Sequence, residues 1–275
     1  MSPFAAAGLL PVRTAGPANG HPVILLHGFL ADSRQWRQLT RRVDALTSRR
    51  VRWLMPDLPG HGKSATLFPA QPGWAALVDL LARSLQPHLQ RPALLGGYSM
   101  GGRVAGALAD AKRLDLAGLW LESAHPPLSP TAAQSRRAED AERARRLEAD
   151  GLAAFVRDWE NLPLFASQRR LPGRVQVAQR HMRLGQSPEG LAQSLRWYGT
   201  GTMPAHLQIP LPTRVLVGAL DLNLLGRVAL WQALAADVEL TTSADAGHAV
   251  HLEQPFEAAR HLAATLDAVF AVQTP

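Results

Sequence analysis

The stretch GGYSMGG (residues 96–102) contains the motif G-x-S-x-G, with Ser99 at its centre. An apolar run, RPALLGG (91–97), leads into it, and a segment with helical patterning (101–112) follows. In this context the motif is typical of a sharp strand-to-helix turn that holds a serine in strained backbone geometry. The N–H groups at the start of a helix lack intrahelical partners, so they stabilise negative charge nearby. The stretch therefore predicts a catalytic serine rather than a glycine-rich turn with an incidental serine.

Short apolar runs recur on both sides of this turn. Most are continuous rather than alternating, which is typical of strands in a parallel sheet covered on both faces. The runs are PVILLHG (22–28), VRWLMPDL (51–58), RPALLGG (91–97), LAGLWLESA (116–124), TRVLVGALD (213–221) and VELTTSADAG (238–247). Helical patterns lie between or after them, at 33–47, 73–86, 101–112, 225–236 and 255–270. The sequence thus predicts an α/β fold with a mostly parallel, doubly wound sheet.

One segment interrupts the alternation of strands and helices. From about 130 to 205 the patterns are helical, and the segment opens with SPTAAQSRRAEDAERARRLEADGLAAF (129–155). An insertion between two strands would form a helical cap over the carboxyl edge of the sheet, where ligands of open α/β sheets bind. We expect residues 1–128 and 206–275 to form the core and residues 129–205 to form a cap that excludes water from the site.

The composition excludes several classes of site. The 275 residues are 47% hydrophobic, which is ample for one large core. The chain has no cysteine, so disulfides, thiolate nucleophiles and cysteine-bound zinc are excluded. No apolar stretch approaches the ~18 residues that cross a bilayer. The N-terminal sequence MSPFAAAGLLPVRTAGPANG lacks the charged and apolar regions of a secretory signal. We therefore expect a cytoplasmic protein without a membrane partner.

Arginine carries almost all of the positive charge. The formal net charge is +7, and Lys63 and Lys112 are the two lysines among 29 basic residues, which leaves 27 arginines. The arginines are scattered, without a basic tail or an interleaved aromatic stripe, so we expect no nucleic-acid partner. Because a guanidinium matches a carboxylate with two parallel hydrogen bonds, we expect a subset of them to bind a small anionic ligand.

A serine hydroxyl needs a base and an orienting acid. His248 follows the last predicted strand and precedes the final helix, and Gly247 before it allows the chain to turn. Asp221 ends the preceding strand, so the order serine, acid, histidine matches that of this fold type. His251 is the alternative base and Asp245 the alternative acid, but Asp245 suits a surface turn better.

Negative charge that develops on a carbonyl oxygen needs two backbone N–H donors. We expect Met100, directly after the serine, to supply one, and Phe29, in the loop after the first long strand, to supply the other. Arg103 lies four residues after Ser99 on the same helix face, so its side chain either lines the pocket or extends to water. An arginine that lines the pocket would imply an anionic ligand.

Several motifs together resemble one family. They are LHGF (26–29), DLPGHGKS (57–64), GYSMGGRVA (97–105), DWENLPLFAS (158–167), GTGTMP (199–204) and AGHAVHLEQP (246–255). From about residue 22 onwards the chain is similar to the 2-succinyl-6-hydroxy-2,4-cyclohexadiene-1-carboxylate synthases of menaquinone biosynthesis, which have the α/β-hydrolase fold. The resemblance implies a lyase that eliminates pyruvate from 2-succinyl-5-enolpyruvyl-6-hydroxy-3-cyclohexene-1-carboxylate. It implies a Ser-His-Asp triad as the base, and no cofactor or metal ion.

The same resemblance implies a set of residues that bind the polycarboxylate substrate. The set is Tyr98, Arg103, Arg136, Arg137, Trp159 and Arg180, in which Arg136 and Arg137 are alternatives. Trp159 is equally suited to packing within the cap.

Two positions depart from the family pattern. Leu222-Asn223-Leu224 stands where many members carry a lysine and an aromatic residue just after the triad acid, and Pro127 stands where they have a glycine. Two other functions therefore stay open. One is a serine esterase or carbon–carbon bond hydrolase that uses the same triad, and the other is a non-catalytic small-molecule receptor with the same fold.

Overall fold

The structure of the protein is a computed structural model that describes residues 5–6 and 8–271. The strands are β1 (Ala5–Ala6), β2 (Val12–Ala15), β3 (His21–Leu26), β4 (Val51–Pro56), β5 (Leu67–Phe68), β6 (Ala93–Tyr98), β7 (Leu116–Glu122), β8 (Ile209–Gly218) and β9 (Ala235–Ser243). The α-helices are α1 (Arg37–Asp44), α2 (Trp74–Leu85), α3 (Met100–Asp110), α4 (Pro130–Glu160), α5 (Gly173–Leu184), α6 (Pro188–Tyr198), α7 (Leu222–Val228), α8 (Val250–Glu253) and α9 (Pro255–Ala271). Across these described ranges, no helix has the length and apolar character needed to cross a membrane.

Seven of these strands form one sheet in the order β2-β4-β3-β6-β7-β8-β9. Neighbouring strands are parallel except for β2, which is antiparallel to β4. The predicted α/β fold with a mostly parallel, doubly wound sheet is therefore confirmed. Strand β2 was not predicted, because its sequence VRTA lies at the sheet edge, is mostly exposed and has no apolar run.

Apolar side chains cover both faces of the sheet, as β3 illustrates. Ile24 and Leu26 belong to the cluster formed with α2 and α3, whereas Val23 and Leu25 belong to the cluster formed with α1 and α9. All four side chains are fully buried. Because successive side chains of a strand point to opposite faces, a strand covered on both sides needs apolar residues at every position.

The helix that follows β8 begins earlier than the predicted start at residue 225. Asp221 caps α7, because its Oδ1 accepts a hydrogen bond from the Leu224 N–H at 3.2 Å. Side-chain capping of this kind fixes a helix start that hydrophobic periodicity does not reveal. A 3₁₀ segment, Ala229–Ala233, follows α7 and leads into β9.

The insertion between β7 and β8 contains α4, α5 and α6, together with the 3₁₀ segments Pro163–Arg170 and Thr200–Thr202. At Gly151 the backbone of α4 is non-helical, with φ 78° and ψ 167°, a conformation that favours glycine. Phe155 and Leu191 of the insertion pack with Leu30, which follows β3. The division at residues 129 and 205 into core and cap stays a prediction.

Candidate active site

Ser99 occupies the turn between β6 and α3 with a φ of 51°, where non-glycine residues are uncommon. Glycines let the two elements and β3 approach closely. A Cβ atom at Gly97 would lie 2.3 Å from the Gly101 carbonyl oxygen, and one at Gly101 would lie 2.0 Å from the Leu26 carbonyl oxygen. The Ser99 N–H donates to the Glu122 carbonyl oxygen of β7 at 2.9 Å. The surrounding backbone therefore holds the strained conformation of the serine.

Ser99, His248 and Asp221 form a continuous hydrogen-bonded chain. His248 Nε2 lies 2.9 Å from Ser99 Oγ, and His248 Nδ1 lies 2.6 Å from Asp221 Oδ2. The carboxylate at Nδ1 favours the tautomer with its proton on Nδ1, which leaves Nε2 free to accept from the serine hydroxyl. This geometry can pass the Ser99 proton to His248 and stabilise the imidazolium that forms.

The alternative base and acid lie away from Ser99. His251 Nδ1 lies 2.7 Å from Glu122 Oε1, and the His251 backbone N–H donates to the same oxygen at 2.9 Å. The side chains of His251 and Glu122 are both buried, and the His251 ring packs against the ring of Tyr98. Asp245 is exposed. His248 and Asp221 are thus the pair that the fold brings to the serine.

The loop that carries His248 is anchored on both sides by one carboxylate. Glu253 accepts a hydrogen bond from the Gly247 N–H at 2.8 Å and another from the Ala249 N–H at 3.1 Å. A Cβ atom at Gly247 would lie 2.1 Å from Ser167 Oγ, so the glycine allows the insertion to approach the loop. These contacts fix the position of the imidazole relative to Ser99.

The loop after β3 is held by a buried histidine. His27 Nε2 accepts from the Leu58 N–H at 2.9 Å, and His27 Nδ1 donates to the Gly28 carbonyl oxygen at 2.8 Å. Burial lowers the pKa of His27, so its neutral form matches this pattern of one donor and one acceptor. Phe29 follows directly, and it lines the same cavity as Met100, the first residue of α3. The backbone N–H groups of Phe29 and Met100 stay our prediction for the oxyanion hole.

A cavity of about 520 Å³ contains the triad, and both the insertion and the rest of the chain contribute to its wall. The lining residues are Phe29, Tyr98, Ser99, Met100, Arg103, Ser123, His125, Arg136, Glu139, Arg143, Trp159, Leu162, Pro163, Leu164, Phe165, Thr200, Asp221, Asn223, Leu224, Arg227 and His248. Among the residues that the structure describes, no cluster of three or more histidine or acidic side chains is arranged to hold a metal ion.

Arg103 is a buried cation in this cavity. It is 8% exposed, and its Nε has no hydrogen-bond partner among the described residues. Burial lowers the pKa of Arg103 to about 9; repulsion by Arg136 adds to this, and Asp140 opposes it. At neutral pH the guanidinium is therefore charged, and no carboxylate in residues 8–271 forms an ion pair with it, which makes the cavity attractive to an anion.

A buried carboxylate on α4 positions two further arginines of the cavity. Asp140 Oδ1 lies 2.8 Å from Arg136 Nε and 3.1 Å from Arg143 Nη1. Its Oδ2 accepts from the Gly201 N–H at 3.3 Å, which ties α4 to the 3₁₀ segment after α6. The two arginines thus share one fully buried carboxylate, although Glu139 gives Arg143 a second, more exposed partner.

The two alternative cap arginines point to different places. Arg136 lines the cavity, whereas Arg137 does not and donates through Nη1 to the Gly201 carbonyl oxygen at 3.2 Å. Arg180 also lies outside the cavity. It lines a separate groove of about 400 Å³ and forms an ion pair with Glu160.

The two aromatic residues implied by the resemblance do line the cavity. The Tyr98 ring lies 5.4 Å from that of His248, measured between centroids, and burial raises the pKa of its phenol well above the usual value. The Trp159 ring packs at 5.2 Å from Phe29 and 5.6 Å from Phe165. Trp159 therefore combines packing within an aromatic cluster with a position on the cavity wall.

Sequence reasoning missed other residues of the cavity wall, namely Ser123, His125, Arg143, Thr200 and Arg227. Arg143 could have been found, because it lies seven residues after Arg136 and therefore on the same face of α4. Thr200 lies within GTGTMP (199–204), one of the motifs of the resemblance, but no role was assigned to it, whereas Ser123 carries no signal because small polar residues are common in loops.

Comparison with known proteins shows the family of the chain. Residues 23–261 match the model of the alpha/beta hydrolase family. The 2-succinyl-6-hydroxy-2,4-cyclohexadiene-1-carboxylate synthase of Klebsiella pneumoniae (strain 342) is 35% identical over 86% of this chain and 90% of its own length. The protein of the same name from Citrobacter koseri is 30% identical over 90% of this chain and 94% of its own length.

Two solved structures are similar to nearly the whole chain. MenH from S. aureus has a TM-score of 0.84 and 31% identity, covering 94% of this chain and 97% of its own. A thermophilic esterase from Thermogutta terrifontis, solved with malate bound, has a TM-score of 0.78 and 31% identity, covering 94% of this chain and 93% of its own. With these likenesses and the hydrogen-bonded Ser99, His248 and Asp221, the chain belongs to the alpha/beta hydrolase family and, within it, to the family of the 2-succinyl-6-hydroxy-2,4-cyclohexadiene-1-carboxylate synthases.

Proposed function

We propose that this protein is a carbon–oxygen lyase of menaquinone biosynthesis. It eliminates pyruvate from 2-succinyl-5-enolpyruvyl-6-hydroxy-3-cyclohexene-1-carboxylate and releases 2-succinyl-6-hydroxy-2,4-cyclohexadiene-1-carboxylate. The observation that carries the proposal is that Arg103, a buried arginine with no close counter-ion in the described part of the chain, lies in the same cavity as the hydrogen-bonded triad. The substrate has three carboxylates, which match a cationic cavity better than the neutral acyl chain of a simple ester does.

In the first step Ser99 acts as the base. Its hydroxyl proton passes to His248 Nε2, and its oxygen takes the ring proton α to the succinyl ketone. Asp221, hydrogen-bonded to Nδ1, stabilises the imidazolium. The negative charge moves to the ketone oxygen, and the N–H groups of Phe29 and Met100 are our candidates to stabilise the resulting enolate.

In the second step the enolate collapses and the leaving group departs. The electron pair forms the C2=C3 double bond, the C3=C4 double bond moves to C4=C5, and the bond from C5 to the enolpyruvyl oxygen breaks. Enolpyruvate leaves and becomes pyruvate on protonation. That proton comes from His248 and passes through Ser99 to the methylene carbon of the departing enolate, which leaves His248 neutral and Ser99 with its hydroxyl proton. No water enters the balance, so the aromatic wall around Trp159 and Phe165 serves to keep water out.

Arginines bind and orient the anionic substrate in this proposal. Arg103 and Arg136 are the candidates among the residues that the resemblance implied, and Arg143 joins them because Asp140 holds it beside Arg136. The small anionic substrate is the only partner we propose, and we propose a cytoplasmic location for the reaction. Arg137 and Arg180 point elsewhere, so a role for either requires the cap to rearrange.

Ester hydrolysis is the second candidate function, and one observation favours it. The Thermogutta terrifontis esterase is as similar in sequence to this chain as MenH from S. aureus is, at 31% identity each. Ser99 would then attack an ester carbonyl, and the backbone N–H groups of Phe29 and Met100 would stabilise the tetrahedral intermediate.

Pyruvate release separates the two functions. The enolpyruvyl substrate is generated in situ, and pyruvate is followed with a coupled dehydrogenase in the wild type and in Ser99→Ala, His248→Ala and Arg103→Ala. We expect fast release by the wild type and a loss of at least a hundredfold in kcat/KM in each variant. Rapid turnover of an aryl ester without pyruvate release would instead establish the esterase, and binding of the substrate without turnover of either compound would indicate a receptor.

A further inference from the structure

Three buried polar atoms on the wall of the catalytic cavity have no hydrogen-bond partner among the described residues. They are Arg103 Nε, Ser123 Oγ and Thr200 Oγ1. The three residues are 8%, 1% and 3% exposed, respectively. Unpaired buried polar atoms are rare because each costs free energy that a partner would recover. Twelve such atoms occur in the described part of the chain, and three of them line this one cavity, where the oxygen atoms of a ligand would supply partners.

Ser123 is unusual for a second, independent reason. It has a φ of 47°, in the left-handed region, although it is not a glycine. Its N–H donates to the Leu216 carbonyl oxygen at 2.9 Å, and the adjacent Glu122 carbonyl accepts from the Ser99 N–H. The backbone at this position is thus clamped between β8 and the catalytic turn. Glycine would adopt the same backbone conformation without strain, so the serine side chain at this position lowers the stability of the fold.

We propose that Ser123 is a substrate-binding residue that contributes to specificity. Its hydroxyl donates a hydrogen bond to a carboxylate oxygen of the substrate, and Arg103 binds the same carboxylate. The choice of a carboxylate follows from the buried guanidinium, which requires an anion, and from the hydroxyl proton, which rotates to meet an acceptor. The identity of the substrate rests on the function proposed above, whereas the binding of a carboxylate rests on Ser123 and Arg103 alone.

Two substitutions separate binding from backbone strain. Ser123→Ala removes the hydroxyl and keeps a Cβ at the positive φ, whereas Ser123→Gly removes the hydroxyl and the strain together. We expect KM for the enolpyruvyl substrate to rise about tenfold in both, with kcat changed less than threefold. The melting temperature should rise in Ser123→Gly and not in Ser123→Ala.

Lys112→Gly is the matched control. Lys112 also has a positive φ, 52°, but it is exposed and does not line the catalytic cavity. We expect this variant to melt at a higher temperature, like Ser123→Gly, with KM unchanged. The comparison therefore shows whether the change in KM comes from the lost hydroxyl or from a more stable backbone.

Calorimetric titration with 2-succinylbenzoate tests the binding step without turnover. This probe carries a ring carboxylate and a succinyl chain. We expect Kd to weaken about tenfold in both Ser123 variants and to be unchanged in Lys112→Gly. If the wild type binds the probe in this way but releases no pyruvate, the proposed lyase function fails and the role of Ser123 stands. Equal KM and equal Kd in the wild type and both Ser123 variants overturn the role of Ser123, as does the absence of probe binding by the wild type.

Discussion

The Asp140 carboxylate lies 2.8 Å from Arg136 Nε and is itself fully enclosed, with a side chain only 3% exposed. Arg143 and the Gly201 N–H share the same carboxylate. One buried acidic side chain thus contacts two cavity arginines and joins α4 to the segment after α6, whereas their other acidic partner, Glu139, is exposed. Asp140 is not among the residues that line the cavity, so we regard it as a positioning residue.

We expect Asp140→Asn to raise KM about tenfold with little change in kcat. The amide keeps the shape but loses the charge that orients the guanidinium groups, and tenfold corresponds to about 1.4 kcal/mol. Glu142→Gln is the control, because Glu142 pairs with Arg145 at an exposed site on the same helix, does not line the cavity, and an exposed ion pair contributes little. Steady-state kinetics of pyruvate release provide the measurement. A similar KM effect in both variants would contradict a special role for Asp140.

Arg103→Met is expected to stabilise the protein and to abolish its activity. Burial of a cation without a close counter-ion opposes folding, so its replacement by an apolar side chain should increase the free energy of unfolding by about 1–3 kcal/mol. The measurement is urea unfolding with and without a saturating dicarboxylate. The ligand should stabilise the wild type and not the variant. A variant that is less stable than the wild type would show that Arg103 has a structural role.

Gly101→Ala is expected to prevent correct formation of the catalytic turn. Its Cβ would lie 2.0 Å from the Leu26 carbonyl oxygen and 2.5 Å from that of His27, and backbone atoms cannot move aside cheaply. We expect a loss of about 3 kcal/mol or more in the free energy of unfolding. Gly226→Ala is the control, since outside its own helix turn a Cβ there would meet no atom of residues 8–271 within 4 Å, and alanine favours a helix by up to about 1 kcal/mol. Wild-type stability in Gly101→Ala would contradict the requirement for glycine where α3 approaches β3.

Glu253→Gln is expected to lower kcat about tenfold while KM changes little. Glu253 accepts from the N–H groups on both sides of His248, and an amide has only one oxygen to replace the two. The imidazole would then be less well positioned, which affects proton transfer more than substrate binding. Glu148→Gln serves as the control, because Glu148 pairs with Arg196 at an exposed site. A rise in KM alone would count against this assignment.

Stability is expected to fall as the pH is lowered from 7 towards 4. Burial above all lowers the pKa of His61 to about 3 and that of His125 to about 4. Their folded-state values lie below the unfolded value of about 6.5, so the unfolded chain binds more protons between these limits. The free energy of unfolding that these two neutral histidines contribute is therefore complete above about pH 6.5 and is lost progressively as the pH falls below that value.

The pH dependence can be traced to one of these histidines by substitution. His61→Gln should reduce the slope of unfolding free energy against pH below 6.5 by up to about 1.4 kcal/mol per pH unit. Parallel curves for the wild type and His61→Gln would indicate that His61 titrates equally in both states.

Much of the architecture follows from local pattern. The continuous apolar runs predicted the parallel strands, because each strand is covered on both faces. The spacing of G-x-S-x-G between a strand and a helix predicted the turn at Ser99, and its geometry depends on residues that are adjacent in the chain. The family resemblance carried by the motifs was confirmed by a family model that matches residues 23–261 and by relatives at 30–35% identity.

Local sequence patterns did not indicate which of the candidate arginines reaches the cavity. Arg136 and Arg137 are neighbours on α4, but only Arg136 reaches the cavity, because the carboxylate of Asp140 orients it while the Gly201 carbonyl binds Arg137. Arg180 pairs with Glu160, twenty residues away. Hydrophobic periodicity and turn chemistry act over a few residues, whereas the direction of a long charged side chain depends on partners that only the folded chain brings together. The positive φ of Ser123 likewise occurs where backbone hydrogen bonds tie this segment to β8 and to the catalytic turn at Ser99, and only the folded chain brings these partners together.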